Sequence, residues 1–129
     1  MTAFKATDLQ LAEITEITEI TQTLVARALN SGSVFKTALD SGLTLFAYPE
    51  EKTMMIGIGY HRDALTPLTI ENALSRRFKF PQLYACWLPA LLADGSFVVM
   101  QKRPRDNAND DICKPTAEEI GNAMALFAA

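Results

Sequence analysis

Residues 43–61 read LTLFAYPEEKTMMIGIGYH, two apolar runs on either side of the polar stretch Pro49-Glu50-Glu51-Lys52. Leu43–Tyr48 and Met54–His61 are short for helices and rich in residues that suit a pleated surface, so they predict an antiparallel strand pair closed by a turn. In the second run Met54, Ile56, Ile58 and Tyr60 share one face, while Met55, Gly57, Gly59 and His61 share the other. Glycine inside a strand marks the close approach of another element, here expected to be a helix lying across that face.

Outward from this pair, Val34–Leu39 forms a third strand-like run, closed by the turn signal Asp40-Ser41-Gly42. Upstream, residues 8–29 predict a helix. Thr7 and Gln10 fit a capping box, and Leu11, Ile14, Ile17, Leu24 and Ala28 keep near-helical spacing, with Ile20 beside them. Glu-Ile-Thr occurs three times, at 13–15, 16–18 and 19–21. Threonine and isoleucine are only fair helix formers, so this helix depends on packing. Asn30-Ser31-Gly32-Ser33 ends it.

Downstream, Thr66 as N-cap and Pro67 in the first turn open a second helix that runs to about Arg77. Residues 83–92, LYACWLPALL, read as an apolar strand, Ala93-Asp94-Gly95-Ser96 as a hairpin turn, and Phe97–Arg103 as the returning strand. Pro89 implies an edge position or a bulge. Thr116 with Glu119 makes a capping box for a short last helix lined by Ile120, Ala123, Met124 and Phe127. The reading is α+β: an antiparallel sheet of about five strands with three helices, in the order α-β-β-β-α-β-β-α, as one domain over residues 1–129.

The bulk numbers agree. A chain of 129 residues, 49% hydrophobic and 21% charged, suits one globular domain and excludes disorder or a disulfide scaffold for the whole. No apolar run approaches the roughly 18 residues of a membrane span. The N-terminus lacks the pattern of a signal peptide, so a cytoplasmic protein is expected. The net charge is −3 and the pI near 5.1, which does not suit a dedicated nucleic-acid binder.

Candidate chemistry is sparse. His61 is the only histidine, and nothing near it in sequence supplies a nucleophile; pairing with Cys86 or Cys113 would make a small enzyme or ligand-binding domain. Both cysteines read as reduced thiols, Cys86 as a core residue. Gly57-Ile58-Gly59 lacks the third glycine of a dinucleotide site. Asp106–Asp111 resembles a calcium loop but fails at Ala108 and Asp111. No metal or cofactor is expected. Arg76, Arg77 and Lys79, with Lys102, Arg103 and Arg105, would serve a regulatory nucleic-acid-binding protein; the plainer reading is helix-end charge and a soluble strand end. Glu13, Glu16 and Glu19 read as a solvated face.

The strongest hint is apolar surface. Leu83, Ala85, Trp87 and Leu91 would face one way on a strand, and Tyr84, Cys86, Leu88 and Leu92 the other. Three modest helices cover one sheet face; an uncovered apolar face of several hundred Å² marks an interaction surface.

The order of elements, the size and the low pI, together with Cys86-Trp87-Leu88-Pro89-Ala90-Leu91-Leu92-Ala93-Asp94-Gly95-Ser96-Phe97-Val98-Val99-Met100, resemble the class I type III secretion chaperones. These are small acidic cytoplasmic proteins that hold secreted effectors in bacteria that inject virulence proteins into host cells. The quoted stretch is similar to the family's late hairpin, and Leu43–Tyr48 with Met54–Tyr60 to its central strands. Lys102-Arg103-Pro104-Arg105 and the loop after it depart from the pattern. The resemblance implies a homodimer, or a heterodimer, joined through Leu68, Leu74, Phe78, Leu83 and Trp87. It implies that the N-terminal segment of a secreted effector binds in extended form to Leu11, Ile14, Ile17, Phe35 and Phe46, with Val34 as an edge-strand contact. It further implies no ATP or other cofactor, and no nucleic-acid or membrane partner.

Overall fold

A computed structural model describes the backbone of residues 2–106 and 110–128 and the side chains of residues 12–106 and 111–128. Helix α1 spans Thr2–Ser31, followed by strands β1 (Phe35–Ala38), β2 (Leu43–Pro49) and β3 (Thr53–Tyr60). Helix α2 (Pro67–Lys79) leads into a single turn, α3 (Pro81–Tyr84), then β4 (Leu88–Leu91), β5 (Phe97–Pro104) and α4 (Ala117–Leu126). The five strands form one antiparallel sheet in the order β1-β2-β3-β5-β4. The α+β class and the strand count stand as read from sequence; the helix count is larger by the turn α3.

Local signals explain most boundaries. Thr66 caps α2, its hydroxyl accepting from the Thr69 N–H at 3.2 Å, with Pro67 in the first turn. Thr116 and Glu119 form both halves of the capping box on α4. Gly32 closes α1 with a positive φ of 71°, its N–H returning to the Ala28 carbonyl at 2.8 Å. The start of α1 differs from expectation. The helix runs through Thr7, so Thr7 is no N-cap; its side chain and that of Gln10 lie outside the described residues.

Helices α1 and α4 pack side by side on one face of the sheet. Ile17, Leu24, Val25 and Ala28 meet Leu43, Leu45, Ala47, Met54, Ile56 and Ile58 there, closed off by Ile120, Ala123 and Leu126. Thr18 and Thr21 enter this core because their hydroxyls donate back to the carbonyls of Ile14 and Ile17, at 2.6 and 2.8 Å.

The opposite face does not meet a helix at its glycines. A Cβ on Gly57 would lie 2.0 Å from the Phe46 ring, and one on Gly59 would lie 2.1 Å from the Phe97 carbonyl oxygen and 2.6 Å from Val98 Cγ1. The expected crossing helix is therefore replaced by a cross-strand ring and by strand β5 itself. Phe46 and Val98 fill the room the glycines leave, and both are buried. The sheet shields part of its second face by itself.

Residues 83–92 do not form one strand. Pro81 begins the turn α3, Tyr84 and Trp87 point into the core, and only Leu88–Leu91 pair with β5. Arg77 fixes this path: its Nε donates to the Trp87 carbonyl at 2.9 Å and its Nη2 to the Ala85 carbonyl at 3.3 Å. Cys86, expected in the core, is exposed, while Cys113 is buried. Pro89 sits in the edge strand β4, where a missing N–H is harmless. Of the calcium-like stretch, residues 107–109 lie outside the described residues and Asp110–Cys113 form a 3-10 turn.

Candidate functional site

Strand β1 is an edge strand, paired to β2 alone. Beside it, α1 leaves a cleft of about 460 Å³, lined by Glu19, Ile20, Thr23, Leu24 and Arg27 from the helix and by Phe35, Lys36 and Thr37 from the strand. The helical positions 20, 24 and 27 follow i, i+4, i+7 spacing, which places them on one stripe. Phe35 and Thr37 alternate along β1 and face the helix side, opposite Ala47 and Leu45. Val34, just before β1, is half exposed and is not part of the cleft lining. A cleft of mixed character, apolar at Ile20, Leu24 and Phe35 and charged at Glu19, Arg27 and Lys36, thus lies next to backbone groups open for pairing.

The residues expected to receive a partner do not all gather here. Phe35 does, and Val34 precedes it in the chain. Ile17 is 1% exposed in the core, so it offers nothing to a partner, and Phe46 lies over Gly57 on the other sheet face. Ile14 lines a separate cavity between α1 and α4. The side chain of Leu11 lies outside the described residues. Ile20, Thr23 and Arg27 were not singled out as contacts, although their helical stripe with Leu24 was the available signal.

Large apolar side chains are also exposed on α2, α3 and β4. Leu68, Leu74, Phe78 and Leu83 are exposed, as are Phe80, Leu88 and Leu91, with Phe78 at 86%. Trp87 is the exception among the five expected interface residues: at 1% exposure it belongs to the core.

His61 follows the last residue of β3 and caps the 3-10 turn after it, Nδ1 accepting from the Asp63 N–H at 3.3 Å. Cys113 lies at the far end of the sheet, its thiol donating to the Pro104 carbonyl at 3.1 Å. Pro104 pairs with Thr53 and Phe97 with Tyr60, so an eight-residue strand, roughly 24 Å by the usual rise, separates this cysteine from His61. Cys86 accepts from Gln101 Nε2 at 3.3 Å, and Gln101 pairs with Ile56, four residues before Tyr60. Neither thiol is placed for a dyad with His61. Among the described residues no group of three His, Cys, Asp or Glu could hold a metal ion.

The basic residues are engaged by the fold. Arg76 Nη1 donates to the carbonyls of Ala125, Leu126 and Ala128, at 2.6, 3.3 and 2.7 Å, and so caps the end of α4. Arg77 holds the Trp87 loop as described. Arg103 pairs with Glu119 and donates to Gln101 Oε1 at 2.8 Å; Lys102 lies 3.5 Å from Glu50; Arg105 donates to the Glu50 carbonyl. The four guanidinium groups of the cluster thus have acceptors within the fold, while the side chains of Lys79 and Lys102 are exposed. Among the described residues no helix is long and apolar enough to cross a membrane. No family model, curated protein or solved structure matches the chain.

Proposed function

We propose that the protein is a non-enzymatic, dimeric chaperone of the bacterial cytoplasm that holds the N-terminal segment of a type III secreted effector in extended form. The observation that carries this reading is the open edge of β1 beside the cleft floored by Ile20, Leu24 and Phe35. An extended guest adds a strand to β1 and places alternate side chains in the cleft; main-chain bonds supply affinity and the cleft supplies selection. A segment held this way is kept from folding early, which suits passage through a narrow channel. The exposed side chains of Leu74, Phe78 and Leu83 support the dimer, since a second copy would withdraw them from water.

The test has two arms. Light scattering at micromolar concentration is expected to give twice 14.2 kDa; a monomer throughout would overturn the dimer. A client co-purified from the source cells is trimmed to its N-terminal segment and added back. That segment is expected to slow amide exchange across Phe35–Ala38 and to lose binding to Phe35→Asp. Protection elsewhere, with Phe35→Asp binding as tightly as the parent, would overturn the site.

A further inference from the structure

A cavity of about 260 Å³ lies between α1 and α4 at the end of the sheet where β3 finishes. Its floor is Tyr60 and Phe127, whose rings meet edge to face with centroids 5.3 Å apart. Ile14 and Met124 form walls, and Glu13 stands at the rim. Sites for drug-sized ligands begin near roughly 300 Å³, so this space suits a single side chain.

Gly121 keeps the cavity open. It lies inside α4, where glycine costs about 1 kcal/mol relative to alanine. No backbone conformation demands it, because its φ is not among the positive ones. No close packing demands it either: a Cβ there would first meet Ile14 Cδ1 at 3.7 Å, an ordinary contact. A larger residue at this position would occupy the space.

The surroundings select for charge. Glu13 takes part in none of the ion pairs among the described residues. Burial, and then the nearby Glu13 charge, push the Tyr60 phenol up, so it stays a neutral hydroxyl beside the carboxylate. The carbonyls that end α4 are already met by the Arg76 guanidinium, so the acidic character of the cavity rests on Glu13. Two aromatic rings complete a lining that suits a cation on an apolar stem.

We infer that this cavity is a socket for the arginine side chain of a bound polypeptide. Arginine fits better than lysine: its planar, weakly hydrated guanidinium stacks on rings while reaching a rim carboxylate. The socket is independent of the chaperone reading, since it is built with α4 and the cleft is built with β1.

The test is an NMR titration of the labelled full chain with Nα-acetyl-arginine N-methylamide, its citrulline counterpart (nearly the same shape, no charge) and its norleucine counterpart. The arginine probe is expected to shift the amides of Gly121, Met124 and Phe127 and to bind about tenfold tighter than the citrulline probe. Glu13→Gln, an exposed and structurally mild change, is expected to bring arginine down to the citrulline level. Gly121→Leu is expected to abolish all three responses with the rest of the spectrum retained. Phe35→Asp is expected to leave the titration unchanged, which separates this socket from the cleft. Equal binding of norleucine and arginine, an arginine response indifferent to Glu13→Gln, or no response at these amides would each overturn the assignment.

Discussion

Lys36 Nζ stands 3.3 Å from Asp94 Oδ2, although Lys36 lies in one edge strand and Asp94 in the turn of the hairpin that forms the other edge. In a flat sheet three strand spacings, about 14 Å, would separate β1 from β5 alone. The sheet must therefore coil, and it coils toward the face that carries Lys36, Phe46 and Gly57. Asp94 also accepts the Ser96 N–H at 2.9 Å.

That geometry sets a pH dependence. The Ser96 backbone N–H first, and Lys36 after it, hold the Asp94 carboxyl down to about 2. A folded-state value below the unfolded one favours the folded state above the ordinary carboxylate range, and the gain is lost as pH falls through about 2. Urea melts of the parent and of Asp94→Asn are expected to differ at pH 7 and to converge near pH 2. A gap that is constant with pH would contradict this.

Gly59 and Gly57 are expected to differ when changed to alanine. At Gly59 the new carbon meets the Phe97 carbonyl and Val98 Cα, which are backbone; at Gly57 it meets the Phe46 ring, which can swing aside. Gly59→Ala is expected to cost about 3 kcal/mol or more and Gly57→Ala about 1–2 kcal/mol, read from chemical denaturation.

Glu119 carries two duties, the cap on α4 and the partner of Arg103. Glutamine can still complete a capping box, so Glu119→Gln loses only the charge, whereas Glu119→Ala loses both. The alanine variant is expected to fall about 2 kcal/mol below the parent, with the glutamine variant between them. Equal losses would mean that the cap contributes nothing.

Phe78 and Trp87, nine positions apart, separate assembly from folding. Phe78→Asp is expected to keep the melting transition of the isolated subunit while giving a monomer by light scattering. Trp87→Ala is expected to cost about 3–5 kcal/mol, because it empties a core site. A dimer that survives Phe78→Asp would move the interface elsewhere.

What could be read in advance was short in range. The caps at Thr66 and Thr116, the stop at Gly32 and the turns at Gly42 and Gly95 all act within a few residues, so their chemistry is visible in the chain itself. The path from Pro81 to Trp87 was not legible as alternation, because the deciding contacts come from Arg77 on another helix. The site suffered in the same way. Ile17 and Ile20 are three residues apart and chemically alike; only the position of β2 decides that the first is sealed and the second lines a cleft. The basic residues looked available because the acceptors of Arg76, the carbonyls ending α4, lie about fifty positions away.

The brevity of β1 has a consequence for what it can recognise. Along a four-residue edge only alternate residues turn their N–H and C=O outward, so a visiting chain finds very few rungs to hold. Those rungs are the same for every sequence. Discrimination then falls to the rhythm of the visitor, an oily residue at every second position, and many unrelated chains can share that rhythm.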